Sequence, residues 1–379
     1  MNPSSLNTPA VFLAAAATGT AAVILFSVMP VLIGALADQF GLSDTESGLI
    51  ATAYFSSYAL VTLTSPTWIR RFNWRRVTAI AYAALVFGIL LFWLADNYSQ
   101  ILVSMVAAGS GAGILFPLSL TIAADTARPE RTYALQIIPE QLIPAGLLLV
   151  VAGLNIAGAG SLILMVLAIV LLCVLASWGL PAKGLSATAD NDRQDNVALG
   201  LLALLALAIN FSGYAGLWVF FERIAAQQNF SDGFTQTWLA AGLVMSGVGP
   251  IFAAIYANRF GYVVPIILGT VISMLAMGAL LAEVSQLRYA TVLVILPLAY
   301  YLAITYIMAV IADVDGTGKM AGLMSFALAV GAAGGPAIFG ALTDAGFSAV
   351  LVMIFAVAVG ALLSVIVMTL SKGKDTEFV

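Results

Sequence analysis

Residues 181–196 read PAKGLSATADNDRQDN. Lys183, Asp190, Asp192, Arg193 and Asp195 are spread through this segment, which has no apolar run and lies at the middle of the 379-residue chain. Almost everything on either side is apolar. The segment reads as a solvated linker between two membrane-embedded bundles. Hydrophobic residues make up 62% of the chain and charged residues 8%, whereas soluble domains carry roughly 25% charged residues. So few charges cannot cover a water-facing surface, so lipid must surround most of the chain.

Outward from the linker, apolar segments recur between short polar breaks. They cover about 10–36, 48–68, 77–95, 99–124, 133–158 and 161–180 before it, and about 197–222, 236–257, 263–282, 288–312, 319–342 and 347–370 after it. A spanning helix needs about 20 apolar residues, and a bilayer offers no water to an open backbone, so these segments are helices. The expected fold is an all-α membrane protein, twelve transmembrane helices in two pseudo-symmetric six-helix bundles. The expected organisation is a bundle over 1–180, a linker over 181–196, a bundle over 197–370 and a tail over 371–379. The first apolar run exceeds the 7–15 residues of a signal-peptide core, so it reads as a retained span.

Twelve spans sort the loops into two sets. One set holds Arg70, Arg71, Arg75, Arg76, Arg128, Arg131, Lys183, Arg193, Arg259, Lys319, Lys372 and Lys374; the other holds only Arg223 and Arg288. Cytoplasmic loops collect Lys and Arg, which places both termini and the linker in the cytoplasm. The absence of long loops and targeting segments suggests a bacterial inner membrane.

The two halves echo each other. Arg71 and Arg259, Asp125 and Asp313, and Arg131 and Lys319 are each 188 residues apart. Three charged landmarks at one offset argue for a duplicated six-helix unit, two parallel repeats about an axis along the membrane normal.

On these features the chain resembles a major facilitator superfamily transporter. The family signature after spans 2 and 8 is G-x-x-x-D-R-x-G-x-R-R. Pro66, Arg70, Arg71, Asn73, Arg75 and Arg76 fall on it in the first half, and Ala254, Asn258, Arg259 and Gly261 in the second. The basic positions are kept, while Arg70 and Asn258 replace its Asp. The antiporter signature of span 5, a Gly-Pro pair followed by small residues, is absent. The resemblance implies a cytoplasmic gate, Arg71 with Asp125 and Arg259 with Asp313, that holds one of two rocking states. Without that role the same charges would simply anchor the topology.

Glu140, in QIIPEQLIPAG, is the one acid well inside an apolar span. An intramembrane acid is costly and therefore a functional-site candidate. Here it suits reversible protonation or binding of a cationic group, with Gln136 four residues earlier on the same face. The bland alternative is a protonated acid that ties two spans together. Span 7 carries Asn210, Tyr214, Trp218 and Glu222, each four apart, so one slowly drifting face is polar and aromatic. In this fold span 7 borders the central cavity, and the stripe is expected to line it. Tyr54 and Tyr58 in span 2, and Tyr301 in span 10, add hydroxyls to an otherwise apolar wall, as small-molecule sites often have; helix packing would also use them. Gly109, Gly111 and Gly113, and Gly331, Gly335 and Gly340, allow close helix approach.

The expected function is secondary active transport of a small organic solute, with a proton or other cation as partner, by a monomer. Every Lys and Arg maps to a loop or span end, which favours a neutral, zwitterionic or cationic solute over a multivalent acid. A drug or metabolite efflux antiporter, and a non-transporting receptor or scaffold of transporter fold, remain as alternatives. The chain has no His and one Cys, Cys173. That argues against haem and zinc sites and against a membrane-embedded enzyme, so no cofactor or metal is expected. There is no Gly-Lys-Ser/Thr phosphate loop, and a net charge of −4 without a basic patch argues against nucleic acid.

Overall fold

The computed structural model describes residues 8–126, 129–156, 158–183, 197–256, 259, 261–315 and 319–375. Arg128, linker residues 184–196 and Asn258 lie outside these, as do the side chains of Arg131, Lys319, Lys372 and Lys374. The described residues form twelve long helices and no strand: α1 (Pro9–Phe40), α2 (Asp44–Trp68), α3 (Trp74–Trp93), α4 (Tyr98–Ala124), α5 (Pro129–Gly153), α6 (Ala159–Ala176), α7 (Val197–Gln227), α8 (Asp232–Tyr256), α9 (Val263–Gly278), α10 (Gln286–Val314), α11 (Lys319–Asp344) and α12 (Ala349–Asp375). Eleven are long and apolar enough to cross a membrane. The twelfth, α2, has the length at 25 residues but is rich in Ser and Thr. It lies between α4 and α11 rather than at the periphery.

Local chemistry sets the helix starts. Thr8 caps α1 by accepting from the Val11 amide, and Ser43 and Glu46 form a reciprocal capping box on α2. Such caps satisfy amides that the first turn leaves without intrahelical partners. Asn97 caps α4 and Ser285 caps α10, and these two residues are 188 apart. Helices α1 and α7, α2 and α8, and α4 and α10 also start 188 residues apart.

The packing repeats with the sequence. Helix α1 packs on α4, α5 and α6, and α7 packs on α10, α11 and α12. The α2–α4 and α3–α4 contacts recur as α8–α10 and α9–α10. Two seams join the halves, α2 on α11 and α5 on α8, and the duplication exchanges one with the other. In α1, 83% of the most apolar window is buried, against 33% in α6 and α12. Helix α1 is therefore central, while α6 and α12 face lipid. Leu287 at 79% exposure and Leu275 at 70% belong to a surface that hydrocarbon, not water, must cover.

The Ala182 carbonyl accepts from the Trp74 amide, which places the linker at the end of the bundle where α3 begins. This end is the linker face, and the other is the opposite face. Glycines 109 and 113 let α4 lie against the backbone of α2, and Gly111 lets it lie against α3, all within one half. Gly331 and Gly335 do the same for α11 on α7, whereas Gly340 meets Asp44 across the halves.

Candidate functional site

Glu140 lies near the middle of α5 and is 7% exposed. Gln136, one turn earlier, donates from Nε2 to Glu140 Oε1 at 2.7 Å and to Ser119 Oγ of α4 at 3.0 Å. The amide is thus held between two helices and orients the carboxyl. Gln136 Oε1 is buried without a partner among the described residues, an acceptor that a ligand group can engage. Gly19 of α1 makes the space: a Cβ there would overlap Glu140 Oε1 and crowd Gln136 Nε2. Tyr58 of α2 and Tyr301 of α10 are within electrostatic reach of Glu140. The acid therefore faces side chains from both halves. Next to it, Gln141 Oε1 accepts from Ser246 Oγ of α8 at 2.7 Å, a bond across the α5–α8 seam at mid-depth.

The aromatic residues gather beside this acid. Tyr214 stacks on Tyr300 at 4.3 Å between ring centroids and meets Tyr301 edge-on at 5.4 Å. Tyr54 donates to the Ala22 carbonyl at 3.3 Å, and its ring lies 6.2 Å from that of Tyr58. Offset and edge-to-face pairs of this kind are favourable. They make an aromatic wall in which each of these rings carries a hydroxyl.

The span 7 stripe does not stay together. Asn210 donates to the Val357 carbonyl of α12 at 2.8 Å, so it packs within its own half and does not line the cavity, contrary to the expectation. Trp218 is 1% exposed and donates to the Phe26 carbonyl of α1 at 3.2 Å; it closes the contact between halves. Glu222 reaches the opposite face, where its carboxyl presses on Gly34 of α1. Only Tyr214 stays with the tyrosine cluster, edge-on to Tyr301.

The gate pairing also needs correction. Asp125, 6% exposed, pairs with Arg70 at 2.6 Å, not with Arg71. Arg71 is exposed and in no ion pair among the described residues. Arg259 and Asp313 are both exposed, and no ion pair joins them among the described residues. The signal for Arg70 was present in the sequence: it stands where the family signature has Asp, and a second acid at that corner would repel Asp125. Arg70→Ala is expected to lower stability by about 1–3 kcal/mol, the range for a charge-assisted bond. Arg71→Ala should change it by less than about 0.5 kcal/mol. Thermal melts of both variants, each with and without Asp125→Asn, check the assignment; equal losses would reject it.

The contacts that join the halves cluster from mid-depth to the opposite face. Asp344 at the end of α11 accepts from the Asp44 and Thr45 amides at 3.2 and 2.8 Å, and so caps α2 from the other half. Arg223 pairs with Asp44 at 3.3 Å and Asp38 at 3.6 Å. Thr52 donates to the Ala333 carbonyl at 2.7 Å. None of Gly19, Gln141, Asp344 and Gly34 was singled out by sequence, because each matters only through what it faces.

A family model, Major Facilitator Superfamily, matches residues 11–183. Comparison with curated proteins gives no match. Among solved structures, the chain resembles FucP, a major facilitator transporter crystallised in an outward conformation. That match has a TM-score of 0.64 at 17% identity, covering 96% of this chain and 99% of that one. It also resembles a bacterial homologue of the human lysosomal transporter Spinster, inward-facing and occupied. There the TM-score is 0.66 at 15% identity, with 96% of each chain covered. At these identities the likeness is one of fold.

Proposed function

We propose that this chain, which matches the Major Facilitator Superfamily model over residues 11–183 and resembles transporters of that family in fold along its length, carries a small organic solute across a membrane by alternating access, in symport with protons. The observation that carries the reading is Glu140, a buried acid at mid-depth set against Gly19 and within electrostatic reach of Tyr58 of one half and Tyr301 of the other. A group so placed senses which way the halves are tilted. Residues 1–180 and 197–370 act as the two rocking bodies, 181–196 as the linker and 371–379 as the tail. The set of twelve basic residues supports a cytoplasmic linker and cytoplasmic termini, and the short loops support a bacterial inner membrane. The opposite face, where Asp344 and Arg223 hold the halves together, is then the outer one, and these contacts support reading the described state as inward-facing. Tyr58, Tyr214 and Tyr301 contact the solute, and an aromatic wall without a buried Lys or Arg suits a neutral, zwitterionic or cationic molecule. One copy holds both halves, so a monomer suffices.

The test is gradient-driven accumulation in proteoliposomes, using a solute found by thermal shift on a broad metabolite panel. Acid outside and neutral buffer inside should raise internal solute above its external level, and a protonophore should abolish the excess. Solute that only equilibrates, whatever the pH difference, would reject proton symport. Solute that runs outward against its gradient in exchange for protons favours the efflux antiporter.

A further inference from the structure

The two seams between the halves are equivalent by duplication but not alike at the opposite face. On the α2–α11 side, a Cβ on Gly48 would overlap the Pro336 carbonyl, and one on Gly340 the Asp44 carbonyl; the helices touch backbone to backbone. On the α5–α8 side, Gln236 stands 188 residues after Gly48, and a cavity of about 410 Å³ opens between α1, α5, α6, α7 and α8. Asp38 and Asp232 stand at its exposed mouth and Glu222 lies deeper.

Two observations point to a ligand here. Gln236 is 7% exposed, lines the cavity and has no hydrogen bond among the described residues. Glu222 Oε2 is buried and likewise has no hydrogen-bond partner among them. An enclosed carboxylate oxygen without a partner is uncommon and calls for one; the Gln236 amide, which lines the cavity, is free to bond whatever enters it. Arg223 is turned towards Asp38 and Asp44, and among the described residues neither Glu222 nor Asp232 is in an ion pair. No group of three acids, Cys or His among the described residues is close enough to hold a metal ion. Aliphatic side chains, among them Val31, Val151 and Leu162, form the remaining wall. The volume is that of a small-molecule pocket. The loops and helix ends of this face carry eight acids against Arg223 and Arg288, a field that concentrates cations at the mouth.

We infer that this cavity is a binding site, distinct from the Glu140 site, for a short aliphatic diamine. One ammonium meets Glu222 and the Gln236 amide oxygen, the other meets Asp232, and the methylenes lie on the aliphatic wall.

Titration calorimetry of the full chain in detergent, with putrescine as probe and magnesium chloride at equal ionic strength as control, tests it. Putrescine should bind saturably, and magnesium should not reproduce the signal. Affinity should fall about tenfold or more in Glu222→Gln and in Asp232→Asn, the scale of one lost charge-assisted contact. It should persist in Glu140→Gln, so failure of the transport reading leaves this result intact. Asp232 is exposed, so its variant stays informative if Glu222→Gln misfolds, and Gln236→Leu should weaken binding severalfold. No saturable putrescine signal, a signal that magnesium reproduces, or one that Glu140→Gln removes and Asp232→Asn spares would overturn the inference.

Discussion

Glu140→Gln is expected to leave a folded, solute-binding protein that no longer accumulates its solute. Glutamine keeps the shape of the side chain and an acceptor oxygen for Gln136 Nε2, which lies 2.7 Å from Glu140 Oε1. The melt should therefore shift by no more than about 1 kcal/mol, as conservative changes usually do. The amide cannot take up and release a proton. A difference of one pH unit supplies about 1.4 kcal/mol per proton, enough for tenfold accumulation of solute. The variant should stop at equal concentrations inside and outside while still exchanging labelled for unlabelled solute. If accumulation survives at the wild-type level, the proton enters elsewhere and Glu140 only ties α5 to α4 through Gln136 and Ser119.

Gly48→Val and Gly340→Val should push the protein out of the described state. In each case the added Cβ runs into a carbonyl of the facing helix, Pro336 for Gly48 and Asp44 for Gly340. Helix backbone gives way far less readily than a side-chain tip. Overpacking of this kind costs about 1–3 kcal/mol. Both contacts lie between the halves, so the strain is felt only while the opposite face is closed. The closed population should fall by about 5- to 150-fold relative to the open one. Cross-linking between cysteines placed at Thr45 and Thr343 reads this directly: the yield should be high in the parent protein and low in either valine variant. Unchanged yield with a lowered melting temperature would mean that the seam is static packing and that the halves part somewhere else.

The frame was legible in the sequence because lipid makes its rules strict. Spans must be apolar and loops must hold the charges, so the twelve helices and the 188-residue offset followed from position alone. Glu140 stood out for the same reason. What faces what was less legible. Successive residues on a helix point about 100° apart, so Arg70 and Arg71 at the end of α2 look in different directions, and only the packed register shows that Arg70 meets Asp125. The same geometry dissolved the span 7 stripe. Four residues overshoot one turn by about 40°, so over the twelve residues from Asn210 to Glu222 the face swings about 120°, from α12 round to α1. Glycines 19, 34 and 48 were invisible as site residues, because a missing side chain has meaning only against its neighbour.

The duplication that sets the two seams opposite each other also marks where the halves part company. Adding 188 to Glu140 lands on Leu328, and to Glu46 on Phe234, while Asp44 lands on Asp232. The copied unit supplied the helices, their caps and an acid at the start of α2 and α8. The deep carboxylate is private to the first half, and the amide at 236 to the second. The halves therefore differ where the copies would match: the first holds the charge at the centre of the membrane, and the second brings Glu222, Asp232 and Gln236 to a hollow that it shares with α1, α5 and α6.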